Sequence, residues 1–156
     1  MDSTAVRRDS FTDFVADVEP RLRRALVAGY GVDRGREATT DALVYAWRNW
    51  DRVQSLANPA GYLYRVGQRI ATKPAKRQGR GDTPEAARLP WIEPGLSDGL
   101  ARLTPKQRTA VVLYCSFDWT YREIAEVNGL SVRSVRTHVN RGLAKLRRAL
   151  EVAEDD

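Results

Sequence analysis

Apolar residues recur along most of the chain at steps of three and four, and nowhere do they alternate over the length of a strand. That is the period of amphipathic helices. Phe11, Phe14, Val15 and Val18 form the first stripe, with Ser10 placed to cap it and residues 1 to 9, short, polar and charged, expected to be disordered. Pro20 predicts a kink or break before Arg21, because proline lacks an N–H and its ring clashes with the preceding turn. Leu22, Ala25 and Leu26 carry the face on to Gly29-Tyr30-Gly31. Asp33 opens a second helix, in which Ala38, Ala42, Leu43, Ala46, Trp47 and Trp50 share a face. The alanines suit close helix approach, and Trp47 reads as core. A loop follows from Asp51-Arg52. Asn58-Pro59 then starts a third helix, with a capping side chain followed by proline at the first helical position. Its inner face is Tyr62, Leu63, Val66 and Ile70, and Pro74 ends it.

Residues 74 to 95 mix proline, glycine and charge without a period and read as a linker, Trp91-Ile92 being its one apolar pair. Beyond it Ser97 caps a short helix through Leu100 and Leu103. Thr104-Pro105 starts another, packed through Ala110, Val111, Leu113 and Tyr114, with Phe117, Trp119 and Tyr121 closing that core. The closing EVAEDD reads as a frayed tail. The fold class expected is all-α: two small helical domains joined by a flexible linker, the second a helix-turn-helix. The bounds are 10–77, 78–96 for the linker, and 97–150. Domains this small draw only ~3–5 kcal/mol from one core.

The stretch from Thr120 to Leu150 is the most informative. Thr120 with Glu123 three residues on is a capping-box pattern. Ile124, Ala125 and Val127 follow, Asn128-Gly129 stops the helix, and Ser131 caps the next. There Val132, Val135, Val139, Leu143, Leu146 and Leu150 fall on one narrow stripe at about 100° per residue. Arg133, Ser134, Thr137, Arg141, Lys145 and Arg148 point away from it, with Arg136, Asn140 and Arg147 on its edges. A short helix, a glycine turn and a helix with an apolar seam and a cationic outer face make a helix-turn-helix. Its second helix enters the DNA major groove by its N-terminal residues. Arg133, Arg136, Thr137, Asn140 and Arg141 are the candidate base readers, since arginine pairs with guanine and asparagine with adenine through two hydrogen bonds. Ser134, Lys145, Arg147 and Arg148 suit phosphates. In the third helix Arg65, Arg69 and Lys73 step by four, beside Gln68, and Tyr62 and Tyr64 interleave with them. Lys76, Arg77 and Arg80 follow. Cations with aromatics suit phosphate contact and stacking on unpaired bases.

Composition adds direction without changing the fold. The chain has 156 residues, 42% apolar and 29% charged, and a net charge of +6, which favours a polyanionic partner. No stretch approaches the ~20 apolar residues of a membrane span, and the N-terminus lacks the apolar core of a signal peptide. A cytoplasmic protein without membrane contact is the expectation. The single cysteine, Cys115, permits no internal disulfide and reads as a small core residue. His138, the single histidine, has no Cys or His cluster about it. With no Gly-rich phosphate loop or nucleophile elbow either, no metal, cofactor or catalytic residue is expected.

The order of parts resembles a bacterial extracytoplasmic-function sigma factor, the small two-domain class of RNA polymerase initiation factors. The resemblance is specific over LTPKQRTAVVLYCSFDWTYREIAEVNGLSVRSVRTHVNRGLAKLRRAL and weaker but collinear over YAWRNWDRVQSLANPAGYLYRV. It implies that the C-terminal domain reads the upstream, minus-thirty-five promoter element through the residues named above. It further implies that Asn58, Tyr62, Tyr64, Arg65, Gln68, Arg69 and Lys73 face the melted minus-ten strand. Glu37, Thr40, Asp41, Val44, Trp47 and Trp50 would dock on the clamp of core RNA polymerase, and the linker would thread the polymerase channel. Core polymerase and promoter DNA are the implied partners. Family members are often held by an anti-sigma factor, which no residue here identifies. Two features depart from the family pattern. The stretch REATTDALVYAW is poor in acids, with Thr40 near the usual glutamine, and Pro74 cuts short the minus-ten helix. These departures keep a second reading open, a stand-alone DNA-binding regulator that does not support initiation.

Overall fold

The structure is a computed structural model that describes residues 2–73 and 95–155, with side chains to Val152. Its elements are α1 (Ser3–Tyr30), α2 (Val32–Arg48), α3 (Trp50–Val53), α4 (Pro59–Thr72), α5 (Leu96–Arg102), α6 (Pro105–Ser116), α7 (Tyr121–Asn128) and α8 (Val132–Asp155). No strand occurs among the described residues, so the all-α expectation holds for them.

α1, α2 and α4 form the N-terminal half. α1 and α2 run antiparallel: Gly35 lies against Val27 beside the Gly31 turn, while Phe11 meets Trp47 and Trp50 at the far end. Gly35 is needed there because a Cβ would overlap the Val27 backbone. Ala38, Ala42 and Ala46 are fully buried, which lets α2 lie close against its neighbours.

Several expectations are overturned. Pro20 lies inside a continuous α1 and does not break it. Proline removes one backbone hydrogen bond, but Val18, Leu22 and Leu26 are buried on both sides of it and hold the helix. Residues 3 to 9 are helical, started by the side chain of Asp2, which accepts from Thr4 N–H at 3.1 Å. Ser10 is therefore interior to α1, and its hydroxyl donates to the Arg7 carbonyl. Trp47, read as core, lies at the surface instead. Trp50 is buried, with its indole N–H donating to Ser10 Oγ at 3.0 Å, whereas Trp47 is 37% exposed. Gly95, not Ser97, precedes the first turn of α5. Cys115 and Tyr114 lie on the surface rather than in the core. The C-terminal tail is helical through Asp155.

Other local readings stand. Asn58 caps α4 and Pro59 opens it. Lys73 is extended (φ −63°, ψ 143°), the conformation favoured before a proline. Thr104 with Gln107 and Thr120 with Glu123 form complete capping boxes. Gly129 ends α7 at φ 64°. Pro74, Lys76, Arg77, Arg80 and the Trp91-Ile92 pair lie outside the described residues.

The C-terminal half packs α5, α6 and α7 on α8, and the two halves share one hydrophobic core. α1 meets α5 and α6, and α4 meets α6. Phe117 and Trp119 are buried on the turn after α6, with Asp118 between them in the left-handed region (φ 57°), which aspartate tolerates better than most residues. They do not close a separate small core. Phe117 lies 5.4 Å from the ring of Tyr64, and Trp119 backs onto Gly61, both in α4.

Candidate nucleic-acid interface

α7 and α8 build the first part of the interface. Ser131 caps α8 by accepting from Ser134 N–H at 3.1 Å. Val135 and Val139 are fully buried and seat the helix. Arg133, Arg136, Asn140, Arg141, Arg147 and Arg148 are exposed on the other side, so the cationic face faces solvent. Ser134 and Thr137 are half-buried. Ser134 bonds Ser131, and the Thr137 hydroxyl donates to the Arg133 carbonyl at 3.1 Å. Arg133, Ser134, Thr137 and His138 together line a shallow depression. Lys145 is exposed, but its ammonium donates to Gln107 Oε1 at 3.1 Å, which ties α8 to the start of α6.

Sequence reasoning missed the support beneath Arg136. Its guanidinium lies 5.7 Å over the ring of Tyr121, which stacks on Tyr114 at 5.0 Å. Burial, with the Tyr114 hydrogen bond second, pushes the Tyr121 phenol up, so it stays neutral at ordinary pH. The aromatic residues were visible in the chain, but nothing local to them pointed at Arg136.

α4 divides the remaining candidates between two faces. Tyr62, Arg65, Arg69 and Lys73 are at least partly accessible. Tyr64 and Gln68 are buried, and Asn58 is half-buried, so these three face the C-terminal half instead of solvent. Gln68 Nε2 donates to Thr109 Oγ1, and Arg65 donates to Gln68 Oε1. The Tyr62 hydroxyl is 3.1 Å from that of Tyr45, and Arg52 donates to both, its guanidinium 5.5 Å over the Tyr62 ring. Burial, then the Tyr45 hydrogen bond, raises the Tyr62 phenol, which therefore remains a donor. Tyr45 and Arg52 were also missed, because residues in three separate elements meet only after folding.

The outer face of α2 presents Glu37, Thr40, Asp41, Val44 and Trp47. Trp50 is removed from that set by burial. Arg7 organises the end of this face: it donates to the Trp47 carbonyl at 2.7 Å, sits 4.3 Å over the indole and pairs with Asp51 at 3.5 Å.

An all-α chain with a helix-turn-helix bearing a cationic recognition helix is the class this geometry defines. Residues 96–146 match the family Sigma-70, region 4. The fold is shared with the sigma factor RpoE, solved in complex with the anti-sigma factor NepR from Bartonella quintana. The TM-score is 0.69 at 18% identity, over 92% of this chain and 98% of that one. It is shared also with CnrH, solved in complex with the cytosolic domain of CnrY, with a TM-score of 0.64 at 24% identity, over 93% of this chain and 90% of that one. No curated protein matches in sequence. Residues 96–146 thus carry a match to Sigma-70, region 4, and the chain as a whole shares its fold with these two solved proteins.

Proposed function

We propose that the protein binds core RNA polymerase through its N-terminal half and directs it to promoters. In this reading residues 10–77 hold polymerase and the minus-ten element, 78–96 link, and 97–150 read the minus-thirty-five element. The observation that carries it is the outer face of α8, where Arg133, Arg136, Asn140 and Arg141 stand exposed over buried Val135 and Val139 within the matched region. Arginines there release counterions from phosphates and pair with guanine edges. Tyr62, with Arg69 and Lys73 on the same helix, suits an unpaired base and its backbone. The chemistry is recognition and strand separation, without covalent catalysis, and its place is the cytoplasm, where polymerase and promoter meet.

The exposed face of α2, with Trp47 and Val44 as apolar anchors among Glu37, Thr40 and Asp41, is the surface proposed for the polymerase clamp. An anti-sigma factor is proposed as a further partner, since RpoE was solved with the anti-sigma factor NepR and CnrH with the cytosolic domain of CnrY. Among the described residues no helix is long and apolar enough to cross a membrane.

Pull-down with core polymerase tests the proposal. The wild type is retained, and Trp47→Ala is retained less. Absence of retention by the wild type overturns it. The acid-poor stretch around Glu37 and Asp41 favours the second reading, a regulator that binds duplex DNA alone. That reading predicts duplex binding with no polymerase retention.

A further inference from the structure

A cleft of about 310 Å³ lies where α1 faces α5, α6 and α8, a volume at the small end of the range for ligand sites. Its walls are mostly apolar. Ala25 of α1, Leu96 of α5, and Leu143 and Leu146 of α8 line it and are only half-buried. Val111 and Val112 of α6 line it too and are buried. The α1 wall is small, since Ala25 and Ala28 stand where larger side chains would close the gap. Apolar surface left half-covered in this way gains from an apolar group that fills it.

One end of the cleft is charged. Arg21, Arg24, Ala25 and Ala28 all line it, and their spacing puts them on one face of α1. α1 runs antiparallel to α6: the Arg21 guanidinium is 5.9 Å over the Phe117 ring, just past the end of α6, whereas Gly29 meets Arg108 near its start. Arg21 therefore stands at the end that carries Cys115 and Ser116, and Ala28 toward the end that carries Leu100, whose carbonyl accepts from Arg108 at 2.9 Å. Both cleft arginines are exposed. Arg23 on the same helix is held by Glu19 at 2.9 Å, but Arg21 meets Asp17 only at 3.7 Å. Arg24 has no ion pair among the described residues, and no acidic side chain lines the cleft. A carboxylate or phosphate placed there would receive charge-assisted hydrogen bonds from two guanidinium forks.

We propose that this cleft binds a small amphiphile with one anionic head, carboxylate or phosphate, and a medium-length apolar tail. The head sits at Arg21 and Arg24, with the Ser116 hydroxyl as a further donor, and the tail runs past Ala25 and Val112 toward Leu100 and Leu146. A neutral amphiphile gains the tail contacts alone, and a cationic one meets two guanidiniums of its own sign. None of the lining residues belongs to the outer faces of α2 and α8, so the inference goes beyond the promoter-reading function and stands without it.

Cys115 provides the test. It is the single cysteine of the chain, it is exposed, and it lines the cleft, so its labelling by a maleimide reports on this place alone. Decanoate, decyl phosphate and decanol are each titrated into the full chain below their critical micelle concentrations. Labelling rate is followed by intact mass, and stoichiometry by native mass spectrometry. The expected result is a saturable, severalfold slowing by either anionic probe, with a single molecule bound per chain. Decanol, which lacks the charged head, needs a roughly tenfold higher concentration for half-saturation. Arg21→Gln combined with Arg24→Gln, both at exposed positions, brings the anionic probes to the level of decanol. Ala25→Leu keeps both arginines and helix propensity but fills the cleft, and abolishes the complex. No slowing by either anionic probe overturns the inference. Equal half-saturation by decanoate and decanol, or an unchanged double variant, overturns the anionic head. A complex of wild-type strength in Ala25→Leu, or many molecules bound per chain without saturation, overturns the site.

Discussion

Asn58 joins the two halves of the molecule to each other. Its Oδ1 accepts the Gly61 N–H at 3.0 Å and starts α4, while its Nδ2 donates to the carbonyl of Phe117 at 2.8 Å, across the seam. Asn58→Asp separates these roles. The carboxylate still caps the helix and is favoured by its dipole, but it has no donor for Phe117 and opposes that carbonyl. The helix is expected to remain while the halves loosen, read as unchanged circular dichroism with a larger radius of gyration. Asn58→Ala also loses the cap, at about 1 kcal/mol in denaturant unfolding.

Arg133 and Arg136 lead the exposed face of α8, and alanine at either is expected to weaken duplex binding by about 1–3 kcal/mol with relaxed sequence preference if the residue reads a base. A phosphate contact weakens all sequences alike. Tyr121→Ala, which removes the ring beneath Arg136, is expected to act in the same direction as Arg136→Ala and more weakly. Competition binding over a randomised duplex library separates these outcomes.

Tyr64 makes stability depend on alkaline pH. Burial first, and the neighbouring Tyr30 second, hold its phenol well above the ordinary value near 10. The unfolded chain therefore ionises at lower pH than the folded one. The contribution is constant below pH 10 and is lost as pH rises above it. Tyr64→Phe removes this loss. It also deletes a hydroxyl without a partner, so it is expected to leave stability at neutral pH unchanged or raised by about 1 kcal/mol. Urea midpoints at neutral and strongly alkaline pH check both.

Gly35 permits the contact of α2 with α1. Gly35→Ala puts a methyl into the Val27 backbone, where no side-chain rotation relieves it. The expected loss is about 1–3 kcal/mol, by overpacking, despite alanine's better helix propensity. Thermal unfolding of the full chain measures it.

What the chain revealed in advance was local. Thr104, Thr120, Ser131, Gly129 and Asn58-Pro59 mark helix ends by chemistry within a few residues, and each works as expected. The buried stripe of α8 follows from its period for Val135 and Val139. What stayed hidden depends on distant partners. Gln68 looks like a surface residue until Thr109, 41 positions on, receives its amide. Tyr62 and Tyr64 are equivalent by composition, yet one meets Tyr45 and Arg52 and the other Phe117. Trp47 and Trp50 share a face by spacing, yet Trp47 is exposed while Trp50 is buried with its indole N–H on Ser10, 40 positions away. Pro20 broke a local rule that packing on both sides overrode.

Run-off transcription tests the central claim most directly. Core RNA polymerase is given this protein and a library of genomic promoter fragments, and transcripts are mapped. The account predicts protein-dependent transcripts from defined starts, diminished by Arg133→Ala and by Arg136→Ala while a housekeeping sigma factor still initiates in the same reaction. Stable duplex binding by the protein with no transcript from any fragment and no retention of polymerase would contradict it.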